Sequence, residues 1–216
     1  NAQNLNLNRD YAKIDTDEIK AVIKVMNDYN PLLYMDIHVT DGADYQYDIT
    51  FGGLAGQGYS KGISNWLATK YKTHADQDLA NNGHIPGQLL FAVNDRDFSQ
   101  GNALIMGAPR FSDAYGDLRH MASVLVENHS LKPFKQRVLG TYVLVESTLK
   151  LLATEGKTLK QITLSDNAKR ETMLPTKWKV PQMNSATTFE NQSNSKVKVD
   201  FATVPDSLKL LGIESR

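Results

Sequence analysis

The fold is decided by a short apolar stretch, Met121-Ala122-Ser123-Val124-Leu125-Val126-Glu127, which predicts a buried β-strand that ends at a carboxylate. A second apolar run, Leu32-Leu33-Tyr34-Met35-Asp36-Ile37-His38, predicts another buried strand that ends at an imidazole. Stretches with helical periodicity precede and follow these strands. Because buried strands that alternate with helices are typical of layered folds, we predict an α/β protein with a mixed β-sheet flanked by helices.

Three helices are predicted around these strands from the spacing of apolar residues. They run from a cap at Asp15 or Thr16 to Asn30-Pro31, from Ile63 to about Leu79, and from a cap at Ser130 to Gly156. Shorter strands are predicted at Tyr45–Phe51 and Leu89–Val93, with a glycine-rich loop from Gly52 to Gly62 and turns over 94–119.

The composition changes after Gly156, where prolines and clustered Thr, Asn, Ser and Gln replace the helical pattern. We therefore expect residues 1–156 to belong to the main domain. Residues 157–216 are expected to form an irregular or small β appendage, to which the sequence assigns no role.

The charge balance excludes some classes of partner. Lysine plus arginine and aspartate plus glutamate number 24 each among 216 residues, so nucleic acid is not an expected partner. No apolar run reaches the ~18 residues of a membrane helix. With no cysteine, thiolate metal sites and cysteine nucleophiles are excluded.

Two side chains are candidates for chemistry because each ends a buried strand. His38 and Glu127 hold these positions, and ligands of open α/β sheets bind at the carboxyl ends of strands. Burial raises the pKa of such a carboxylate toward the range of a general base. On spacing alone, a structural histidine and a surface glutamate explain the same pattern, and both interpretations stay open.

Four segments along about residues 1–155 belong together: Asn6-Leu7-Asn8-Arg9-Asp10-Tyr11, Met35-Asp36-Ile37-His38-Val39-Thr40, Pro109-Arg110-Phe111-Ser112-Asp113-Ala114-Tyr115-Gly116, and Leu125-Val126-Glu127-Asn128-His129-Ser130-Leu131-Lys132-Pro133. In this order they resemble the carboxypeptidase A-like zinc metallopeptidases, in a bacterial subgroup. The resemblance implies hydrolysis of the last peptide bond of a peptide or protein substrate.

The resemblance also implies a role for individual residues. His38 corresponds to the last zinc-binding histidine, and Glu127 to the general base that takes a proton from the zinc-bound water. Arg9 and Asn8 correspond to the clamp on the substrate's C-terminal carboxylate. Tyr115 corresponds to a substrate-facing tyrosine on a flexible segment.

The sequence departs from the family pattern in one respect, because the His-x-x-Glu motif that supplies the first two zinc ligands has no match. The residues three positions after the five histidines are Asp41, Gln77, Gly87, Ser123 and Lys132. We therefore expect the C-terminal part of a catalytic domain, inactive alone and binding zinc weakly or not at all. We also expect an exposed sheet edge that permits self-association, and export of the parent protein.

Two other functions are open. Gly58-Tyr59-Ser60-Lys61-Gly62 matches the Gly-x-Ser-x-Gly pattern of serine hydrolases, with His74, His120 or His129 as base, although no buried strand directly precedes it. The second is a relative that binds carboxylates without catalysis. Asp36 shares a strand face with His38 and is expected either to orient it or to pair with a cation. Substrate preference for basic ends would need an acidic pocket residue; the candidates are Asp95, Asp97 and Asp113.

Overall fold

A computed structural model describes residues 4–40, 42, 44–52, 60–94, 96–103 and 108–169, and the backbone of 187–190 and 196–199. The chain divides into two compact units. The first comprises Asn1–Leu89 and Met106–Leu174, and the second comprises Leu90–Ile105 and Pro175–Arg216. No helix among the described residues combines the length and apolarity needed to cross a membrane.

The first unit contains a four-stranded sheet with helices packed against it. Its strands are β1 (Leu33–Val39), β2 (Ile49–Gly52), β3 (Pro86–Gln88) and β6 (Ala122–Asn128), in the spatial order β1-β6-β2-β3. β1 is parallel to β6 and β3 is parallel to β2, whereas β2 is antiparallel to β6. The predicted α/β class with a mixed sheet flanked by helices is confirmed.

The first two predicted helices are present. Helix α1 (Asp17–Tyr29) begins after Thr16, whose hydroxyl accepts a hydrogen bond from the Ile19 N–H at 3.4 Å, and it ends at Asn30 in a left-handed conformation. A continuous helical stretch comprises α2 (Lys61–Trp66), a π-helical turn (Leu67–Tyr71) and α3 (Lys72–Asn81). The predicted apolar face of this stretch is buried; its members are Ile63, Trp66, Leu67 and Tyr71.

The third predicted helix differs at both ends. Helix α5 (Phe134–Ala168) begins after Pro133 rather than at Ser130, whose N–H donates to the Thr40 hydroxyl at 3.1 Å instead of opening the helix. It also continues through Gly156, so the predicted irregular appendage is wrong over residues 157–168. Leu159 in this extension is fully buried, and the Asp166 carboxylate accepts from the Ile63 N–H at 2.9 Å, which fixes the last turns to α2.

A fourth helix, α4 (Ser112–Leu118), occupies part of the region predicted to be turns. It packs against β6 and β1 through buried small and polar residues, which carry no apolar periodicity. The members of this buried set are Ser112, Asp113, Ala114, Gly116 and Asp117. The predicted glycine-rich loop lies largely outside the described residues, because 53–59 are not described.

The first strand was predicted to be buried but lies at an edge of the sheet. Only β6 pairs with it among the described residues, and Ile37 and Val39 are 44% and 51% exposed. An exposed edge was expected, and self-association through it stays a prediction.

The second unit contains short antiparallel pairs. β4 (Phe91–Ala92) pairs with β5 (Asn102–Ala103), and β7 (Thr187–Glu190) pairs with β8 (Lys196–Val199). The strand predicted at Leu89–Val93 is therefore shorter than expected and belongs only in part to this unit.

Candidate active site

The register of the sheet places the two candidate residues side by side. His38 on β1 is opposite Glu127 on β6, and Thr50 on β2 is opposite Glu127 on its other side. Because residues in register share a face of the sheet, the three side chains form one row across the strands. Thr50 is 1% exposed and the His38 side chain is 28% exposed, so the row is buried at its β2 end and partly exposed to solvent at its β1 end.

Asp36 is the immediate partner of His38. Its Oδ2 lies 2.7 Å from the Nε2 of His38, and the two side chains are 22% and 28% exposed. The Asp36 carboxylate raises the pKa of His38 against the opposing effect of burial. Glu127 also raises this pKa, and Arg9 lowers it.

Asp113 on α4 also belongs to this environment. Its side chain is 8% exposed, and burial raises its pKa, with the Asp36 carboxylate adding to that effect and His38 opposing it. Backbone N–H groups at Ala114 and at its own position hydrogen-bond its carboxylate. Of the three aspartates considered for substrate preference, Asp97 belongs to the other unit and Asp95 lies outside the described residues.

The predicted carboxylate clamp is fixed to the start of α4 by two hydrogen bonds. The Ser112 N–H donates to the Asn8 side-chain oxygen at 2.8 Å, and the Tyr11 N–H donates to the Arg110 carbonyl at 3.3 Å. Arg9 lies between Asn8 and Tyr11 in the chain, and its guanidinium carbon is 4.3 Å from the centroid of the Phe111 ring. The Asn8 side-chain oxygen is thus used to hold the backbone, while the Arg9 side chain stays exposed.

Tyr115 occupies a helix rather than the flexible segment that the resemblance implied. Its ring packs 5.6 Å from the ring of Tyr11, and the Arg119 guanidinium lies 5.7 Å from its centroid. The Tyr11 hydroxyl in turn hydrogen-bonds the Tyr34 hydroxyl at 2.7 Å. The structure therefore places His38 opposite Glu127, holds Asn8 and Arg9 at the start of α4, and packs Tyr115 against Tyr11 in an aromatic cluster.

The ligand set for zinc is incomplete in the part of the chain that the structure describes. His38 is the one imidazole in the row, and its Nε2 faces Asp36. Among the described residues no three His, Cys, Asp or Glu side chains converge in a way that could hold a metal ion. A catalytic zinc takes three protein ligands, so these residues do not form such a site by themselves.

The alternative serine site brings two of its candidates into contact. The Ser60 Oγ lies 2.6 Å from the His120 Nδ1 and donates to the Asp117 carbonyl at 2.8 Å. Since a serine hydroxyl has one hydrogen, Nδ1 must carry a proton and donate to Oγ for both bonds to exist. In that arrangement His120 cannot take a proton from Ser60. Ser60 is also fully buried, so this contact supports a structural role.

A second polar cluster beside α5 was not anticipated from the sequence. The Asp48 carboxylate accepts from the Gln136 side chain at 2.6 Å and lies 3.5 Å from the His84 Nδ1. His129, whose N–H donates to the Asp48 carbonyl, is 1% exposed and packs 4.8 Å from the Tyr45 ring. Gln136 and Asp48 are 88 residues apart, and no local pattern connects them.

Comparison of the chain with protein-family models, with curated proteins and with solved structures found no match.

Proposed function

We propose that this chain contributes part of the active site of a zinc-dependent carboxypeptidase. The observation that carries the proposal is the row in which His38 and Glu127 lie opposite each other on adjacent parallel strands, with Arg9 against Phe111 at the start of α4, a helix that packs on both strands. A base, an imidazole and an exposed guanidinium in one region are what cleavage next to a free carboxylate requires.

Glu127 is the proton carrier in this proposal. It lies at the carboxyl end of a strand that is otherwise buried, next to the half-buried pair of His38 and Asp36. A carboxylate held in such a position takes a proton from an attacking water and passes it to the leaving amine. Its fixed position on a central strand keeps it oriented without a cost in entropy at each turnover.

Arg9 selects the end of the substrate. The guanidinium forms a planar fork that binds a carboxylate through two parallel hydrogen bonds. The Phe111 ring and the hydrogen bonds that flank Arg9 restrict where this fork lies. Peptides whose C-terminus is blocked as an amide lose this interaction and are expected to bind weakly.

Zinc is expected to bind this chain weakly, because the described residues offer one imidazole and affinity depends on several preorganised ligands. The chain by itself is accordingly expected to bind a peptide end without cleaving it. The same incomplete set favours a second candidate function, the binding of C-terminal carboxylates without catalysis.

The clamp is tested by titrating the chain with benzoyl-glycyl-glutamine and with its C-terminal amide, followed by nuclear magnetic resonance. We expect the free acid to bind about tenfold more tightly, the equivalent of one charge-assisted interaction. Arg9→Gln should remove the difference, whereas Arg119→Gln, which removes a nearby guanidinium that hydrogen-bonds Asn27, should preserve it. Equal binding of acid and amide to the unmodified chain would reject the clamp.

Zinc calorimetry tests whether the ligand set of this chain is incomplete. A tight one-to-one site that His38→Ala abolishes and His74→Ala retains would mean that the chain holds a complete catalytic centre. His74 is a suitable control because it also lies near a carboxylate, 3.5 Å from Asp78, but on α3. Weak binding in all three proteins is the result we expect.

A further inference from the structure

Phe111 has two guanidinium groups over its ring. The guanidinium carbon of Arg9 lies 4.3 Å from the ring centroid and that of Arg110 lies 4.9 Å from it. Both side chains are exposed. In the part of the chain that the structure describes, neither arginine has a carboxylate within ion-pair distance.

Two like charges that lie against one ring, and so within about 10 Å of each other, repel each other when no counter-charge is present. The aromatic ring compensates only in part, because an exposed cation–π contact is weak. The backbone that carries the pair is nevertheless fixed, since the Tyr11 N–H donates to the Arg110 carbonyl and the Ser112 N–H donates to the Asn8 side chain. An anion with two carboxylates would supply the missing negative charge to both forks.

The carboxylates near this pair do not supply that charge. Asp113 is 8% exposed, and its carboxylate accepts hydrogen bonds from backbone N–H groups, so a substrate side chain meets little of it. The Asp36 carboxylate is paired with the His38 ring, 2.7 Å away. The exposed charge that an incoming C-terminal residue meets beside Arg9 is therefore the cation of Arg110.

We propose that Arg110 determines specificity by binding the side-chain carboxylate of the substrate's last residue, so that the site prefers C-terminal glutamate or aspartate. This inference rests on the proposed function, in which Arg9 binds the main-chain carboxylate of the same residue. A glutamate end offers two carboxylates joined by a short flexible chain, so each carboxylate can bind one of the two guanidinium groups beside Phe111.

The test compares benzoyl-glycyl-glutamate with benzoyl-glycyl-glutamine, which differ in one charged group. The chain is titrated with each peptide at constant ionic strength, and the ratio of dissociation constants is the readout. We expect the glutamate peptide to bind about tenfold more tightly, as one additional charge-assisted pair implies. Arg110→Gln should remove this preference while the glutamine peptide binds as before.

Two further variants make the result specific to charge. Arg110→Lys should retain part of the preference, because the charge remains while the planar fork is lost. Arg110→Glu should reverse it in favour of benzoyl-glycyl-lysine. Since the Arg110 side chain is exposed, these changes should shift the unfolding curve only slightly.

The outcomes separate this inference from the proposed function. Equal affinity of the unmodified chain for the glutamate and glutamine peptides overturns the role of Arg110 and leaves the clamp intact. An equal loss for both peptides in Arg110→Gln also overturns it, because Arg110 would then bind the main-chain carboxylate. Equal binding of benzoyl-glycyl-glutamine and its C-terminal amide would overturn the proposed function itself.

Discussion

Two histidine clusters lie near the end of β6 and differ in how the protein treats their charge. His38, beside α4, is 28% exposed and lies 2.7 Å from the Asp36 carboxylate, which raises its pKa. His129 is 1% exposed, neither of its ring nitrogens has a hydrogen-bond partner within the described part of the chain, and burial lowers its pKa to about 4. The first is a partly exposed imidazole with a carboxylate partner, whereas the second is a neutral core residue.

The difference shows that a histidine at a strand end is not sufficient to define a site. What distinguishes His38 is a carboxylate two residues earlier on the same strand face and a second one in register on the next strand. His129 follows β6 by one residue, packs on Tyr45, and has backbone rather than side-chain contact with Asp48. The position of carboxylates around an imidazole therefore indicates function better than its place in the sequence.

The largest predicted effect is on the packing that holds the His38 cluster together. A Cβ on Gly116 of α4 would overlap the Ser123 Oγ and lie 2.7 Å from the Ser123 Cβ, so Gly116→Ala should lower the free energy of unfolding by about 3 kcal/mol. Urea denaturation measures this. Beside the second polar cluster, a Cβ on Gly140 would lie 3.4 Å from His84, which is an ordinary contact. Gly140→Ala should therefore leave the free energy of unfolding unchanged or raise it by up to about 1 kcal/mol.

A double variant checks the reason for that loss. Ser123→Gly removes both atoms that the new methyl group would meet, and it should restore part of the stability of Gly116→Ala. If the two substitutions are simply additive, the close approach of α4 to β6 is not the cause.

The next effect concerns acid and the buried histidine. Because the pKa of His129 falls from 6.5 to about 4 on folding, the unfolded chain binds more protons between these values, and stability is lost as the pH falls through that window. The expected loss from this residue is about 2 kcal/mol between pH 7 and pH 5. His129→Phe, which keeps an aromatic ring against Tyr45, should flatten the pH dependence measured by urea unfolding.

The control for this prediction is a histidine outside the cluster. His74→Gln on α3 should leave the acid sensitivity unchanged. The same slope in His129→Phe and in the unmodified chain would mean that water reaches this imidazole and that the contrast with His38 is not real.

The smallest stability effect has the opposite sign with pH. The pKa of His38 is raised on folding, so its pairing with Asp36 stabilises the fold below the unfolded value near 6.5, and that contribution is lost as the pH rises through the folded value. Asp36→Asn should therefore cost about 0.5–1 kcal/mol at pH 5.5 and less at pH 8. Proton titration of the His38 ring should show a lowered pKa in the variant, and an unchanged pKa would contradict the pairing.

Sequence reasoning predicted the elements with strong apolar periodicity and missed those held by polar packing. Helix α1 and strand β6 follow from their spacing and caps, and two strand ends identify His38 and Glu127 as candidates, whereas their pairing in register is seen only in the structure. Helix α4 could not be predicted because its buried face consists of serine, aspartate, alanine and glycine. Its small residues are needed for close approach to β6, which only the three-dimensional structure reveals.

Long-range contacts explain the remaining differences. Gly156 predicts a helix end, yet a Cβ there would lie 3.5 Å from Leu32, and α5 continues because Leu159 and Asp166 find partners elsewhere in the fold. The arginine pair on Phe111 joins residues more than 100 positions apart in the chain. The adjacency of Arg110 and Phe111 was visible in the sequence, whereas the presence of Arg9 on the same ring was not.

The most direct test of the account maps where a peptide end binds. Backbone amide shifts are recorded while the chain is titrated with benzoyl-glycyl-glutamine as the free acid. The account predicts shifts at Arg9, Phe111, Ser112 and along the His38–Glu127 row, with no change around His129 and Tyr45 or at Ser60. Shifts confined to the His129 or Ser60 regions, or no saturable shift at all, would contradict the assignment of the site to the ends of β1 and β6.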